Sequence, residues 1–357
     1  MEYLSRRGFI KLSGAGLAAT ILETTFPQLK YQDFPESDSL GRVVTGTAEV
    51  KIQPDAESQT VGTLYQDAVV PWIREVAGAH PYRFNQRWVE TPTGYIHAPL
   101  LQPVKNTPNN PTNRLVETSL GPGMWVEVSV PWVDVILANP PPRAPWLVNS
   151  SMPRFYYSQI FWVDEIREDD DSRYLYRINE RYGFGDVFWA DAKAFRPLTF
   201  HEVEPLNPSV EEKRVVVNVN RQELSCYEGK QEIHFCRVST GVQLDPQEES
   251  SDEAITPLGP HPIWRKAISM HMVGGTTGGG WDIPGVGWTT LFVGNGVAIH
   301  STFWHNDFGV PRSRGCVNAK PEDAKWIFRW VNPLVPYDPG DVTVSMPGGT
   351  IVEVMEG

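Results

Sequence analysis

Ile299-His300-Ser301-Thr302 and Ser313-Arg314-Gly315-Cys316-Val317-Asn318 are the stretches around which this chain reads most clearly. The first is a short strand-like run that ends on a histidine. The second sets a glycine directly before a cysteine, with a serine and a cation upstream. Glycine there lets the backbone turn tightly and aim successive N–H groups at one point. A lone thiol with a histidine available in space is the minimum set for a cysteine nucleophile. The other two cysteines, Cys226 and Cys236, fall on two strands joined at Glu228-Gly229-Lys230. That register sets Cys226 opposite about Gln231 and Cys236 opposite about Arg221, too far apart for a disulfide. Cys316 is left as a free thiol.

Working outward, the C-terminal part from 211 to 357 reads as strands with a single helix. Lys213 to Tyr227, the turn Glu228-Gly229-Lys230, and Ile233 to Gly241 form a hairpin pattern. Thr256-Pro257-Leu258-Gly259 follows as a turn. Lys320 to Trp330 is the best helix candidate: proline opens it, acids occupy its first turn, and Ala324, Ile327 and Phe328 share one side. Gly340 to Ser345 and Thr350 to Val354 read as closing strands. The glycines at 274–275 and 278–280 lack the helix and lysine of a phosphate cradle, and read instead as a lid or rim.

The 357 residues hold two or three domains. A net charge of −12 argues against a nucleic-acid binder. With 31 prolines, 30 glycines and 13 tryptophans, the chain calls for many short strands and turns around aromatic cores. Residues 40–105 carry five or six such strands, in the pattern of a small SH3-like barrel. Residues 120–205 read as a second SH3-like or related β-module. There is a faint echo between Gly94-Tyr95-Ile96-His97-Ala98 and Asp186-Val187-Phe188-Trp189-Ala190. The acidic run Glu168-Asp169-Asp170-Asp171 lacks calcium-loop spacing and reads as a solvated hairpin tip. In residues 1–30, Ser5-Arg6-Arg7-Gly8-Phe9-Ile10-Lys11 matches a twin-arginine export signal, and Leu12 to Leu22 is too short to span a bilayer. The expectation is an exported protein that touches membrane only through an uncleaved signal. No other stretch reads as a membrane span.

His300-Ser301-Thr302 with Ser313-Arg314-Gly315-Cys316-Val317-Asn318 resembles the active-site signature of the L,D-transpeptidase catalytic domain, the YkuD family. Gln222, Leu224, Tyr227, Val238-Ser239-Thr240-Gly241 and Thr256-Pro257-Leu258-Gly259 extend the resemblance over most of 211–357. It implies a β-sandwich catalytic domain, so the whole chain is expected to be mainly β. It further implies Cys316 as nucleophile, His300 as base and the Ser301 carbonyl as the group orienting His300. Residues Ser313 to Cys316, Gly315 among them, would form the oxyanion loop, with Arg314 stabilising the thiolate if it folds inward. Thr302, Trp304, His305, Ser313 and Asn318 are the expected substrate contacts. The implied substrates are peptidoglycan stem peptides, the implied inhibitors are of carbapenem type, and neither metal nor cofactor is expected. Arg314 and Ser301 depart from the commoner histidine or lysine and glycine of the signature. Three other readings stay open: an L,D-carboxypeptidase, a non-catalytic wall-binding protein, and a zinc peptidase using His300, His305 and His261 or His271.

Overall fold

The computed structural model describes residues 32–80, 85–148, 150, 152–242, 255–274 and 281–357. The twin-arginine run and the glycines at 275–280 lie outside them.

Two five-stranded sheets build the C-terminal part. One runs in the order Gln231–Arg237, Glu223–Glu228, Lys213–Asn218, Ile351–Met355, Gly259–Pro262. The other runs Val317–Ala319, Ala298–Ser301, Trp281–Leu291, Arg265–Gly274, Asp341–Thr343. Alternation along Lys213–Asn218 sends Val215 and Val217 inward. There they meet Leu224, Val352 and Val354 of the same sheet, Ile299 and Val317 of the other, and the helix Pro321–Trp330. That helix starts as its sequence demands, with proline in its first turn, Glu322 and Asp323 against its positive end, and Ala324, Ile327 and Phe328 buried.

The hairpin register differs from the one read in the sequence. Gly229-Lys230 make a two-residue turn, and a bulge between Cys226 and Tyr227 shifts the pairing further. Cys226 therefore lies opposite His234, and Cys236 opposite Leu224, so both buried thiols share the face that looks into the core. Both are free.

Two further β-regions precede these sheets. Within 40–104, a three-stranded sheet (Val69–Pro71, Leu40–Val43, Leu101–Val104) faces a five-stranded one (Thr60–Tyr65, Thr47–Lys51, Gly94–His97, Arg87–Thr91, Arg74–Ala77) around Val43, Val50, Val89, Ile96 and Leu101. From 116 to 197 the strands form one eight-stranded sheet. In both regions a strand runs into a 3₁₀ turn and then the last strand: Gly94–His97 into Ala98–Leu100, and Val187–Asp191 into Ala192–Ala194. This sets His97 against Asp191, two residues from the alignment the sequence echo suggests.

Residues 123–126 and 160–163 of the eight-stranded sheet are buried on both faces, which explains their uninterrupted apolar runs. Met124, Val126, Phe161 and Val163 point into its own core, whereas Trp125, Ile160 and Trp162 belong to the core of the C-terminal sheets. Trp125 donates from its backbone N to the Tyr337 hydroxyl (2.9 Å) and from Nε1 to the Tyr337 carbonyl (3.0 Å). Gly340, at φ 77°, is required beneath it, since a Cβ there would come within 2.7 Å of the indole nitrogen. The polar connection after residue 104 lies on this sheet through Thr107 N to Ser129 O and Thr112 N to Tyr176 Oη. At the acidic tip, Asp169 caps its own turn by accepting from Asp171 N and Arg173 N. Among the described residues no helix is long and apolar enough to cross a membrane.

Candidate active site

His300 and Cys316 are brought together by two parallel strands. Ala298–Ser301 pairs with Val317–Ala319 so that Ile299 lies opposite Val317 and His300 opposite Asn318. Side chains alternate along a strand, so His300, Asn318 and Cys316 emerge on one face. His300 is 2% exposed, and its Nδ1 lies 2.8 Å from the carbonyl of Ser301. A carbonyl can only accept, so Nδ1 carries the proton and Nε2 keeps a free lone pair. Cys316 Sγ is turned to the Gly296 carbonyl at 3.9 Å.

Burial dominates both titrations. It pushes the Cys316 thiol up to about 11 and pulls His300 down to about 4, the Ser301 carbonyl opposing only part of the second shift. The resting pair is therefore thiol and neutral imidazole, and proton transfer has to accompany attack. The sign for kinetics follows. Acylation of the thiol should stay level from pH 9 down to about 5 and fall only as His300 protonates near 4. An ordinary imidazole would begin to fail near about 6.5. Rates of carbapenem acylation across pH distinguish the two, and a half-maximal point near 6.5 would contradict the buried-histidine geometry.

The cysteine turn is held by a chain of polar contacts that uses the motifs spread over the preceding hundred residues. Gln222, at φ 56°, exchanges hydrogen bonds with Thr240: Thr240 N donates to Oε1 (2.7 Å) and Nε2 to Thr240 Oγ1 (2.6 Å). The neighbouring Gly241 N donates to Thr256 Oγ1 (2.9 Å), which in turn donates to the Gly315 carbonyl (2.8 Å). Gly315, at φ 111°, makes the turn that glycine tolerates best. Ser239 and Asn318 exchange backbone bonds at 2.9 Å. Thr256→Val should leave a buried donor and acceptor unpaired and cost about 1–3 kcal/mol, measurable by urea unfolding.

Other expected site residues fall differently. The Ser313 hydroxyl is spent inside the turn, donating to the Cys316 carbonyl and accepting from Gly315 N (3.2 Å). The Ser313 hydroxyl and the Gly315 N–H are thus engaged with each other within the loop. Arg314 is exposed, with its guanidinium 5.3 Å from the Trp281 ring centre, so it does not fold onto the thiol. Trp304 stands beside His300 with ring centres 5.7 Å apart, and Thr302 is buried with its hydroxyl unpartnered. His305 Nδ1 accepts from Asp307 N (3.2 Å), so Nε2 carries its proton. The Asn318 amide lies 2.9 Å from that Nε2 and must present its oxygen there. Asn318 and His305 thus buttress the site. His261 is held by the Pro257 and Leu258 carbonyls, and His271 by Glu180 and Asp282. Neither joins His300 and His305 in a zinc site.

One residue with no sequence signal stands out. Arg42, 3% exposed, donates to Gln102 (2.8 Å), to Asp67 (2.8 Å) and to the Phe303 carbonyl (2.9 Å), three residues after His300. Its guanidinium lies 4.1 Å over the Tyr156 ring. Arg87 adds a bond to the Asn306 carbonyl (2.8 Å), and Asn306 reaches back to Ala98 O (3.4 Å). The loop behind the histidine is clamped by the 40–104 region.

A family profile described as the L,D-transpeptidase catalytic domain matches residues 212–354, the two sheets and the site between them. These residues are an L,D-transpeptidase catalytic domain. Among solved structures, the chain is similar to an L,D-transpeptidase from Enterococcus faecium, at 22% identity, 42% of this chain, 51% of that chain and a TM-score of 0.31. The NMR structure of the catalytic domain from E. faecium matches at 21% identity, 41% of this chain, 98% of that one and TM-score 0.29. An L,D-transpeptidase from Mycobacterium smegmatis matches at 19%, 54%, 81% and 0.31. The chain spans about half the length of the first of these. A comparison with curated proteins returns no match. The L,D-transpeptidase domain occupies the last two fifths of the chain, and the β-regions before it share its core and clamp its histidine loop.

Proposed function

We propose that this protein is a peptidoglycan L,D-transpeptidase that works through a Cys316 thioester. The observation that carries the reading is the shared strand face of Cys316 and His300, with the Ser301 carbonyl fixing the imidazole so that Nε2 faces the reaction. Cys316 Sγ attacks the carbonyl of the third residue of a donor tetrapeptide while His300 Nε2 takes its proton. The C–N bond to the terminal D-alanine breaks, and the proton on Nε2 goes to the departing amine. A side-chain amine of an acceptor stem then attacks the thioester, gives its proton to His300, and releases the thiol, leaving a 3→3 cross-link. Arg314 N–H and Cys316 N–H are the donors proposed for the oxyanion, each worth about 10²–10³ in rate. No step calls on a metal or cofactor.

The twin-arginine run supports an exported, extracytoplasmic protein. The 40–104 and 116–197 regions support SH3-like or related modules that serve the catalytic domain, because Arg42 and Trp125 tie them to it. Incubation with a carbapenem followed by intact-mass measurement tests the nucleophile. The wild-type chain should gain one adduct and Cys316→Ala none. A full adduct on that variant would contradict the proposal.

A further inference from the structure

Where the hairpin meets the helix Pro321–Trp330, His234, Cys236 and Asp323 place one nitrogen, one sulfur and one carboxylate oxygen within 4.8 Å of one another. Among the described residues it is the one such group of three. His234 and Cys236 stand on Gln231–Arg237, the edge strand of the first sheet, and Asp323 on the first turn of the helix Pro321–Trp330. Stacking on Trp326, with ring centres 4.2 Å apart and planes 11° apart, fixes the imidazole. His234 Nε2 lies 3.1 Å from Asp323 Oδ1, yet it has no hydrogen-bond partner, because the ring nitrogen does not aim at that oxygen. Cys236 Sγ completes the set, all three donor atoms lying within 4.8 Å of one another.

We propose that this cluster is a structural site for a divalent cation of zinc type, bound by Cys236, His234 and Asp323. The donor set is a thiolate, an imidazole and a carboxylate, which a borderline-soft dication takes at about 2.0–2.3 Å in tetrahedral geometry, with water in the fourth place. The charges balance: one thiolate, one carboxylate and one dication sum to zero, so the bound site buries no net charge. Binding releases the thiol proton to solvent. Cys236 is 4% exposed, while His234 and Asp323 are each under one fifth exposed and form the rim through which a cation enters. Bound, the cation would pin the edge strand to the helix that follows the Cys316 strand. The site is separate from the reaction proposed above and stands or falls without it.

The test uses the full chain, reduced and freed of metal, titrated with Co²⁺. The expected result is stoichiometric binding with a thiolate-to-cobalt charge-transfer band that Zn²⁺ displaces. Cys236→Ser should abolish the band, and Asp323→Asn should weaken binding by at least about tenfold. Cys316→Ser should retain the band. Zn²⁺ should raise the Tm of the wild-type chain and leave that of His234→Gln unchanged. No band on the folded wild-type chain would overturn the site. So would a band that survives Cys236→Ser and disappears with Cys316→Ser, since the cation would then sit on the catalytic thiol.

Discussion

His300→Gln should slow acylation of Cys316 by about 10²–10⁴-fold while leaving the chain folded. The imidazole is 2% exposed and its protonated nitrogen is bound to Ser301, so its only chemical freedom is the lone pair on Nε2. Cys316 cannot ionise by itself, because burial holds its thiol near 11 and no cation offsets this. Arg314, the one charge next to it in sequence, is engaged with Trp281. With glutamine in place of His300, acylation would depend on the sparse thiolate and climb with pH through the alkaline range. Wild type should instead show a plateau. A glutamine variant that acylates at the wild-type rate at neutral pH would remove His300 from the mechanism.

Arg42→Met should cost about 3–5 kcal/mol, the scale of breaking a buried, multiply bonded ion pair. The change leaves Gln102 Oε1 and the Phe303 carbonyl without their donor, and leaves the Asp67 carboxylate to Arg154 and the Tyr156 hydroxyl. It also releases the loop that carries Trp304 and His305 beside His300. Acylation should therefore weaken together with stability, even in conditions where the variant stays folded. Arg42→Lys keeps the charge but not the planar fork and should fall between the two. Urea unfolding and carbapenem acylation rates measure both effects. A methionine variant within about 0.5 kcal/mol of wild type would show that the clamp contributes little.

Much of this site is legible along the chain because its parts are local. The helix after Cys316 announces itself by proline, two acids and an apolar stripe, and the glycine before the cysteine by the turn it must make. The Thr240-Gly241 and Thr256 motifs are visible as sequence, but their purpose is not. Only in three dimensions does Thr256 join Gly241 to Gly315. Arg42 is illegible for a sharper reason: in Leu40–Val43 it reads as a strand cation, yet its partner Phe303 lies 261 residues away. The hairpin register departs from the sequence pattern because a two-residue turn and a bulge displace every pair beyond them. The family resemblance names Ser313 as a substrate contact but does not show that its hydroxyl also holds the turn, bonded to the Cys316 carbonyl and Gly315 N.

The central claim is that Cys316 transfers a stem peptide between amines. Incubation of the chain with a disaccharide tetrapeptide, with products resolved by mass, tests it most directly. The account predicts a dimer that has lost one terminal D-alanine, formed by the wild-type chain and absent with Cys316→Ala. Accumulation of tripeptide without dimer would make the protein a hydrolase, and unchanged tetrapeptide with a folded, reduced enzyme would contradict the account.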